Sequence, residues 1–232
     1  MSTGGRLCVA MIARNEEAAV ANVLDEIHAV LGPIDVVLVD SSTDRTAEIA
    51  IERGATVIRQ VPPRGYGPAM MAALNSAAER SDVVVTLDCD GSYPAKAVPE
   101  VAGLVLEGGW DVVNTSRLRR GLQAMPLANW MANAAFAGTA VLLHGIRTTD
   151  VHSGMRAYRS SMLRALDFDP NGAALPVDLL IKPARLGYRV TEVPIEYRPR
   201  IGNTTLRRFD STVWTLRRLL RLLETGHRVR AR

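Results

Sequence analysis

The sequence predicts an α/β fold: a mostly parallel sheet flanked by helices, in one domain spanning residues 1–232. Two observations predict it. Apolar runs alternate with helical patterns through the first half of the chain. Those runs are unbroken Val, Ile and Leu rather than alternating, as in strands covered on both faces.

The strands read from the N-terminus are Leu7–Ile12, Asp35–Val39, Thr56–Arg59, Val83–Leu87 and Asp111–Asn114. Helices fit between them at Glu16–Leu31, stopped by Gly32-Pro33, at Thr43–Arg53, at Pro68–Arg80 and at Ala95–Glu107. This βαβα order predicts right-handed crossovers. The second half is less regular. Leu127–Leu143 reads as a helix, apolar almost all round, and Met155–Tyr158 as a strand. Val177–Leu186 reads as a helix, and Val190–Val193 and Ile195–Arg198 as short strands broken by Pro194. The tail, Thr212–Glu224, reads as a basic amphipathic helix with Val213, Leu216, Leu220 and Leu223 on one stripe. Arg217, Arg218 and Arg221 lie nearby and Arg228, Arg230 and Arg232 follow, so this helix suits an anionic membrane surface. Docking on the core or on a second copy in a homodimer is the competing use of the stripe.

Composition narrows the partners. A formal charge of +4 over 232 residues suits acidic or phosphate-bearing ligands. Aromatics make up 5%, and no basic stretch is interleaved with them, which argues against nucleic acid. Cys8 and Cys89 form neither a metal-ligand spacing nor a disulfide framework, so a cytoplasmic setting is expected. The first six residues lack the apolar core of a signal peptide, and Trp130–Leu143 is too short to cross a bilayer. A peripheral place on the inner membrane face remains compatible.

Ligands of parallel sheets bind beyond the carboxyl ends of the strands. The polar residues there are Ala13-Arg14-Asn15-Glu16, Asp40-Ser41-Ser42 and Asp88-Cys89-Asp90. In the last cluster two carboxylates one residue apart repel each other, and a hard divalent cation relieves the repulsion while bridging to phosphates. Asp88 and Asp90 are therefore candidate ligands for Mg²⁺ or Mn²⁺; an ordinary Asp-Gly turn is the alternative. Asp40 can accept hydrogen bonds from a base or ribose, and Ser42 and Thr43 suit capping of the next helix. Arg64-Gly65-Tyr66-Gly67 precedes a helix whose free N–H groups suit a diphosphate, which makes Gly67 a candidate for close approach.

In order along residues 7 to 206 come Ala13-Arg14-Asn15-Glu16, Val39-Asp40-Ser41-Ser42-Thr43-Asp44, Arg64-Gly65-Tyr66-Gly67, Leu87-Asp88-Cys89-Asp90-Gly91, Thr149–Ala157 and Arg185–Ile195. That series resembles the family 2 glycosyltransferases, most closely the dolichol-phosphate mannosyltransferase-like branch. The resemblance implies a GT-A fold, a nucleotide-diphosphate sugar donor linked to UDP or GDP, and inverting transfer of a hexosyl group. The acceptor is a polyprenyl phosphate or a small-molecule hydroxyl. Ala13, Asn15, Glu16, Asp40, Ser42 and Gly67 are then expected along the nucleotide-sugar pocket. Asp88 and Asp90 face the metal and diphosphate, and Arg117 and Arg200 the donor phosphates. Asp178 matches an acidic position that serves as base in relatives; Asp150 and His152 are further base candidates. The chain departs from the pattern at Ile12 and Ser41, at Asp150–Met155, and at Gln123–Asn129, which lacks the Arg and Ser expected to grip a lipid phosphate. The competing classes are a retaining enzyme of similar fold, a nucleotidyltransferase making nucleotide sugars, and a non-catalytic nucleotide-sugar-binding protein.

Overall fold

The computed structural model describes residues 5–172, 174–202 and 208–224, with the side chains of 208–211 left out. Its centre is a seven-stranded sheet in the order β3-β2-β1-β4-β6-β5-β7. The strands are β1 (Leu7–Ala13), β2 (Asp35–Asp40), β3 (Thr56–Arg59), β4 (Val83–Thr86), β5 (Val112–Ser116), β6 (Arg156–Arg159) and β7 (Val190–Pro194). Neighbours pair in parallel except at β6, which runs antiparallel to both β4 and β5. The expected parallel order thus holds from β3 to β4.

Both faces of the sheet are covered, as the apolar runs imply. Cys8 and Ala10 of β1 and Val37 and Val39 of β2 point into one core. Val9, Met11, Val36 and Leu38 point into the other. The first core is roofed by α3 (Tyr66–Arg80), α6 (Ser160–Ala165), α7 (Leu175–Arg185) and α8 (Arg208–Arg221). In α3, Ala69, Ala73 and Ala77 recur along the buried face, and such small side chains let a helix lie close on a sheet. The second core lies beneath α1 (Val20–Leu31), α2 (Thr46–Glu52) and α4 (Val98–Leu106). In α1 the buried Val20, Val23, Leu24 and Ile27 follow the i, i+3, i+4, i+7 spacing of one helical face. Helix α5 (Leu127–His144) buries only Ala137 and Ala140, so it is a surface helix rather than the core helix its composition suggests.

Three sequence expectations change. Ile195–Arg198 forms no strand; the chain after β7 runs extended, with Tyr197 N–H on Gln123 Oε1, Arg198 N–H on the Ser92 carbonyl and Ile201 N–H on the Asp90 carbonyl. Helix α6 was not anticipated, because six residues are too few to show a helical period. In α8 and the 3-10 turn that follows it (Leu222–Glu224), the buried residues are Thr215, Arg218, Leu219 and Leu222, while Leu216, Leu220 and Leu223 are 43%, 58% and 42% exposed. The predicted stripe therefore faces outward. Arg228, Arg230 and Arg232 lie outside the described residues.

Candidate active site

The ends of β1, β2 and β4 bring the expected clusters together. After β1, Asn15 has φ of 59°, a left-handed conformation that Asn tolerates better than most residues. Its side chain accepts from Thr43 N–H at 2.9 Å, and its own N–H donates to Ser42 Oγ at 2.7 Å. Glu16 N–H donates to Thr46 Oγ1 at 2.9 Å. The loops after β1 and β2 are thus one hydrogen-bonded unit.

Asp40 occupies the floor of that unit and is 0% exposed. It accepts from Ser42 N–H at 3.2 Å and Ser42 Oγ at 2.5 Å, and pairs with Arg59 from the end of β3. Arg59 also donates to the Ser42 carbonyl at 2.9 Å. Asp40, expected near a base or ribose, orders the loop through these contacts. Ser42 does not cap α2, whose N-cap is Arg45; Asp44, one residue earlier, accepts from Thr46 N–H at 3.0 Å. Gly67, in the first turn of α3, lies against the 167–172 loop. A Cβ there would come 1.8 Å from the Pro170 carbonyl oxygen, so the close approach that requires glycine is to protein backbone.

The paired acids sit beyond β4. Asp90 accepts from Ser92 N–H at 3.0 Å and Ser92 Oγ at 2.6 Å, leaving Oδ2 to face Arg200 at 3.7 Å. Arg200 also reaches Glu16 at 3.2 Å, and so bridges the β1 and β4 loops. Asp88 has no hydrogen bond or ion pair among the described residues. Its carboxylate is seated against Gly154, where a Cβ would lie 2.4 Å from Oδ2. Burial and then the charge of Asp90 push the Asp88 carboxyl up to about 7, against the pull of Arg117 and Arg200. Burial likewise raises Glu16 to about 7, against Arg200. Two acids, one of them unpartnered, fit a hard divalent ion that takes its remaining oxygens from a diphosphate. No group of three His, Cys, Asp or Glu side chains able to hold a metal converges among the described residues, so protein alone supplies no complete cage.

The far wall is built from β5, β6 and the 148–154 loop. Arg117 makes a two-pronged pair with Asp150, Nε to Oδ2 at 2.7 Å and Nη2 to Oδ1 at 2.9 Å. Asp150 is fully buried and also accepts from His152 N–H at 3.0 Å. Burial works to raise its carboxyl, but Arg117 prevails and holds it below the ordinary range. Asp150 thus clamps Arg117 with both carboxylate oxygens. His152 contacts Thr215 of α8 through Nε2 at 2.9 Å, and burial lowers its pKa to about 4. Asp178 lies in α7, 3% exposed, accepting from Asp169 N–H at 2.9 Å and facing Arg218 at 3.6 Å. Ala13 ends β1 and is buried; its carbonyl accepts from Ser41 N–H.

Four residues matter here that sequence reasoning did not single out. Arg59 is one. Tyr93 accepts from Gly154 N–H at 2.7 Å through its hydroxyl, beneath the Asp88 seat. Glu192 of β7 receives Thr148 Oγ1 at 2.7 Å, Thr149 N–H at 2.9 Å and Asn114 Nδ2 at 2.8 Å, fixing the loop that carries Asp150. Arg156 is 1% exposed and donates to Asn114 Oδ1 at 2.6 Å and the Val151 carbonyl at 2.8 Å. A buried Arg hydrogen-bonding to carbonyls across 5 to 42 residues of sequence leaves no periodic trace.

Comparison with known proteins agrees with this geometry. A dolichyl-phosphate hexose transferase of Haloferax volcanii is 44% identical over 201 residues, 86% of this chain and 86% of its own. An undecaprenyl-phosphate mannosyltransferase of Micrococcus luteus is 31% identical, covering 79% of each chain. Among solved structures, glucosyl-3-phosphoglycerate synthase from Mycobacterium tuberculosis with Mn²⁺, UDP-glucose and phosphoglyceric acid superposes with a TM-score of 0.73 at 27% identity, over 95% of this chain and 80% of that one. The model of the family described as glycosyl transferase family 2 matches residues 8–167, a span that holds β1 to β6 and both acids. On that match and the 44% relative, the chain belongs to glycosyl transferase family 2.

Proposed function

We propose that this enzyme moves a hexosyl group, with inversion, from a UDP- or GDP-linked donor to a polyprenyl phosphate. The observation that carries the donor half is the unpartnered Asp88 beside Asp90, with Arg117 and Arg200 the cations acting on it. Asp88 and Asp90 would hold Mg²⁺ or Mn²⁺, and that ion supplies positive charge against the departing diphosphate. Arg200 and Arg117 add fixed positive charge on either side, which matters most where leaving-group charge develops. Asp150 keeps Arg117 in place with both carboxylate oxygens.

The acceptor follows from the bases. A hydroxyl acceptor must lose a proton, and general-base help is worth roughly 10²–10⁴-fold. Asp150 is clamped, Asp178 is engaged by Asp169 and Arg218, and His152 is tied to Thr215. An acceptor already ionised needs none of them: its phosphate oxygen bonds to the anomeric carbon as the donor C–O bond breaks, and no proton moves. The two relatives named for polyprenyl-type phosphates support this choice. So does the surface. Trp214, Leu216 and Leu220 of α8 and Leu127, Met131 and Leu142 of α5 are all exposed, beside the exposed Arg217, a combination suited to a peripheral anionic membrane contact. No helix among the described residues is long and apolar enough to cross a membrane.

The test is transfer of radiolabelled hexose from UDP- and GDP-sugars to a short polyprenyl phosphate with Mn²⁺. Label should enter the organic phase, EDTA should stop it, and Asp90→Ala should lower it by at least about 10²-fold, the scale of removing one transition-state charge contact. Activity of Asp90→Ala near wild type, or indifference to chelator, would remove the metal reading.

A further inference from the structure

The transfer chemistry leaves one set of contacts without a purpose. Arg218 of α8 is 3% exposed. It donates through Nη1 to the Asp169 carbonyl at 2.8 Å and through Nη2 to the Asn171 carbonyl at 2.9 Å. Its Nη2 lies 3.0 Å from the Asp169 carboxylate and its Nη1 3.6 Å from that of Asp178. Asp178 returns to the same loop by accepting from Asp169 N–H at 2.9 Å. One turn before Arg218, Trp214 covers Gly172 so closely that a Cβ there would lie 2.3 Å from the indole. Across the loop, the Pro170 carbonyl fills the space above Gly67 at the start of α3. The 167–172 loop is therefore held between α8 on one side and α3 on the other.

That position adjoins the site. Tyr66, beside Gly67, is near enough to Asp88 to feel its charge. A second fastening comes from the same helix: Thr215 meets His152 at 2.9 Å, in the loop that carries Asp150. The 150–154 loop leads into β6 and the 167–172 loop follows α6, so both belong to the second half of the chain. A buried guanidinium is costly unless its donors are satisfied. An aliphatic residue would fill the same space more cheaply, so what Arg218 adds is a defined loop geometry.

We propose that Arg218 is a positioning residue for the acceptor: from α8 it fastens the 167–172 loop through Asp169, Asn171 and Asp178, and so, with Thr215 on His152, sets the wall of the cleft that carries Asp150. Asp178 is then the anchor of this clasp and not a reacting group. The inference deepens the proposed reading, resting on it for the assignment of donor and acceptor sides.

The experiment compares wild type with Arg218→Ala, Arg218→Lys, Asp178→Asn and the Arg218→Ala/Asp178→Asn double variant. Amide hydrogen exchange comes first, because it needs no ligand. Arg218→Ala should speed exchange at 167–172 and 150–154 and leave β1–β4 unchanged; unchanged loops would overturn the clasp. Binding of UDP or GDP with Mn²⁺ should be unaltered. The kcat/KM for a short polyprenyl phosphate should fall about 10²-fold, the cost of misplacing a reactant by about 1 Å. Arg218→Lys should recover part of that loss, and Asp178→Asn should add little in the double variant, as for residues acting through one contact. An Asp178→Asn defect far exceeding that of Arg218→Ala, or donor affinity falling in step with acceptor kinetics, would also overturn it. Wild type failing to bind either nucleotide with Mn²⁺ would instead strike the donor reading, while the exchange result still decides the clasp.

Discussion

The two halves of the sheet are held together by different physics. From β3 to β4 the loops are laced mainly by backbone-to-side-chain bonds at the surface, such as Asn15 to Thr43 and Glu16 to Thr46, around the one buried pair described there, Asp40 with Arg59. From β6 to β7 the loops hang on buried charge: Arg117 on Asp150, Arg156 on carbonyls, Glu192 on Thr148 and Thr149, and Arg218 on Asp169 and Asp178. The first arrangement tolerates the loss of a member, because exposed N–H groups turn to water. The second does not, because a buried charge left alone has nowhere to go.

The sharpest way to break that comparison is Asp150→Ala. It strands Arg117, whose side chain is 11% exposed, and removing one partner of a buried pair costs about 3–5 kcal/mol. Chemical denaturation of the variant should show a loss of that size. Asn15→Gly, on the other side of the sheet, keeps the left-handed backbone and should lose only about 1 kcal/mol, the worth of a cap-like bond. Equal losses would mean that the two halves are not held differently.

The same contrast decides what was legible. The clusters after β1, β2 and β4 could be read because each apolar run ends in polar residues where parallel sheets bind ligands. Asp88 and Asp90 land there together with Arg200. β6 was legible as the strand Met155–Tyr158, found at Arg156–Arg159; its antiparallel insertion between β4 and β5 was not, because pairing partners are set by the finished fold. Nor was the Arg117–Asp150 pair, since a bond across 33 residues depends on the finished fold. In α8 the apolar period was real but pointed the wrong way. Thr215 and Arg218 take the inward face because His152, Asp169 and Asp178 wait there, and tertiary contacts override the stripe.

A smaller effect sharpens the picture through pH. His152 lies at about 4, against an ordinary value of about 6.5, because burial disfavours its charged form and outweighs the attraction of Asp150, with Arg117 and Arg156 adding to the lowering. The unfolded chain therefore binds this proton first as pH falls. The stabilisation is complete above about 6.5, fades on the way to about 4, and amounts to about 3 kcal/mol over that window. Glu16 and Asp88, both raised to about 7, act with the opposite sign, since the folded state gains their protons first. The difference between wild type and His152→Gln isolates the histidine. Followed by denaturation from pH 7 to pH 4, it should shrink by about that amount, and a flat difference would show that His152 is not enclosed in solution.

The smallest effect is the most discriminating for α8. If the Val213–Leu216–Leu220–Leu223 stripe packed on the core, Leu220→Gln would cost about 2–5 kcal/mol, as large-to-small or polar core changes do. Leu220 is 58% exposed, so the change should move stability by no more than about 0.5 kcal/mol. Leu219, one residue earlier and 0% exposed, should cost about 2–5 kcal/mol as Leu219→Ala. Binding to anionic vesicles separates the two positions in the opposite order, because an outward Leu is what a bilayer surface would meet. Leu220→Gln should weaken flotation while leaving the melting curve in place. A variant that melts early but still floats would put the stripe back against the core.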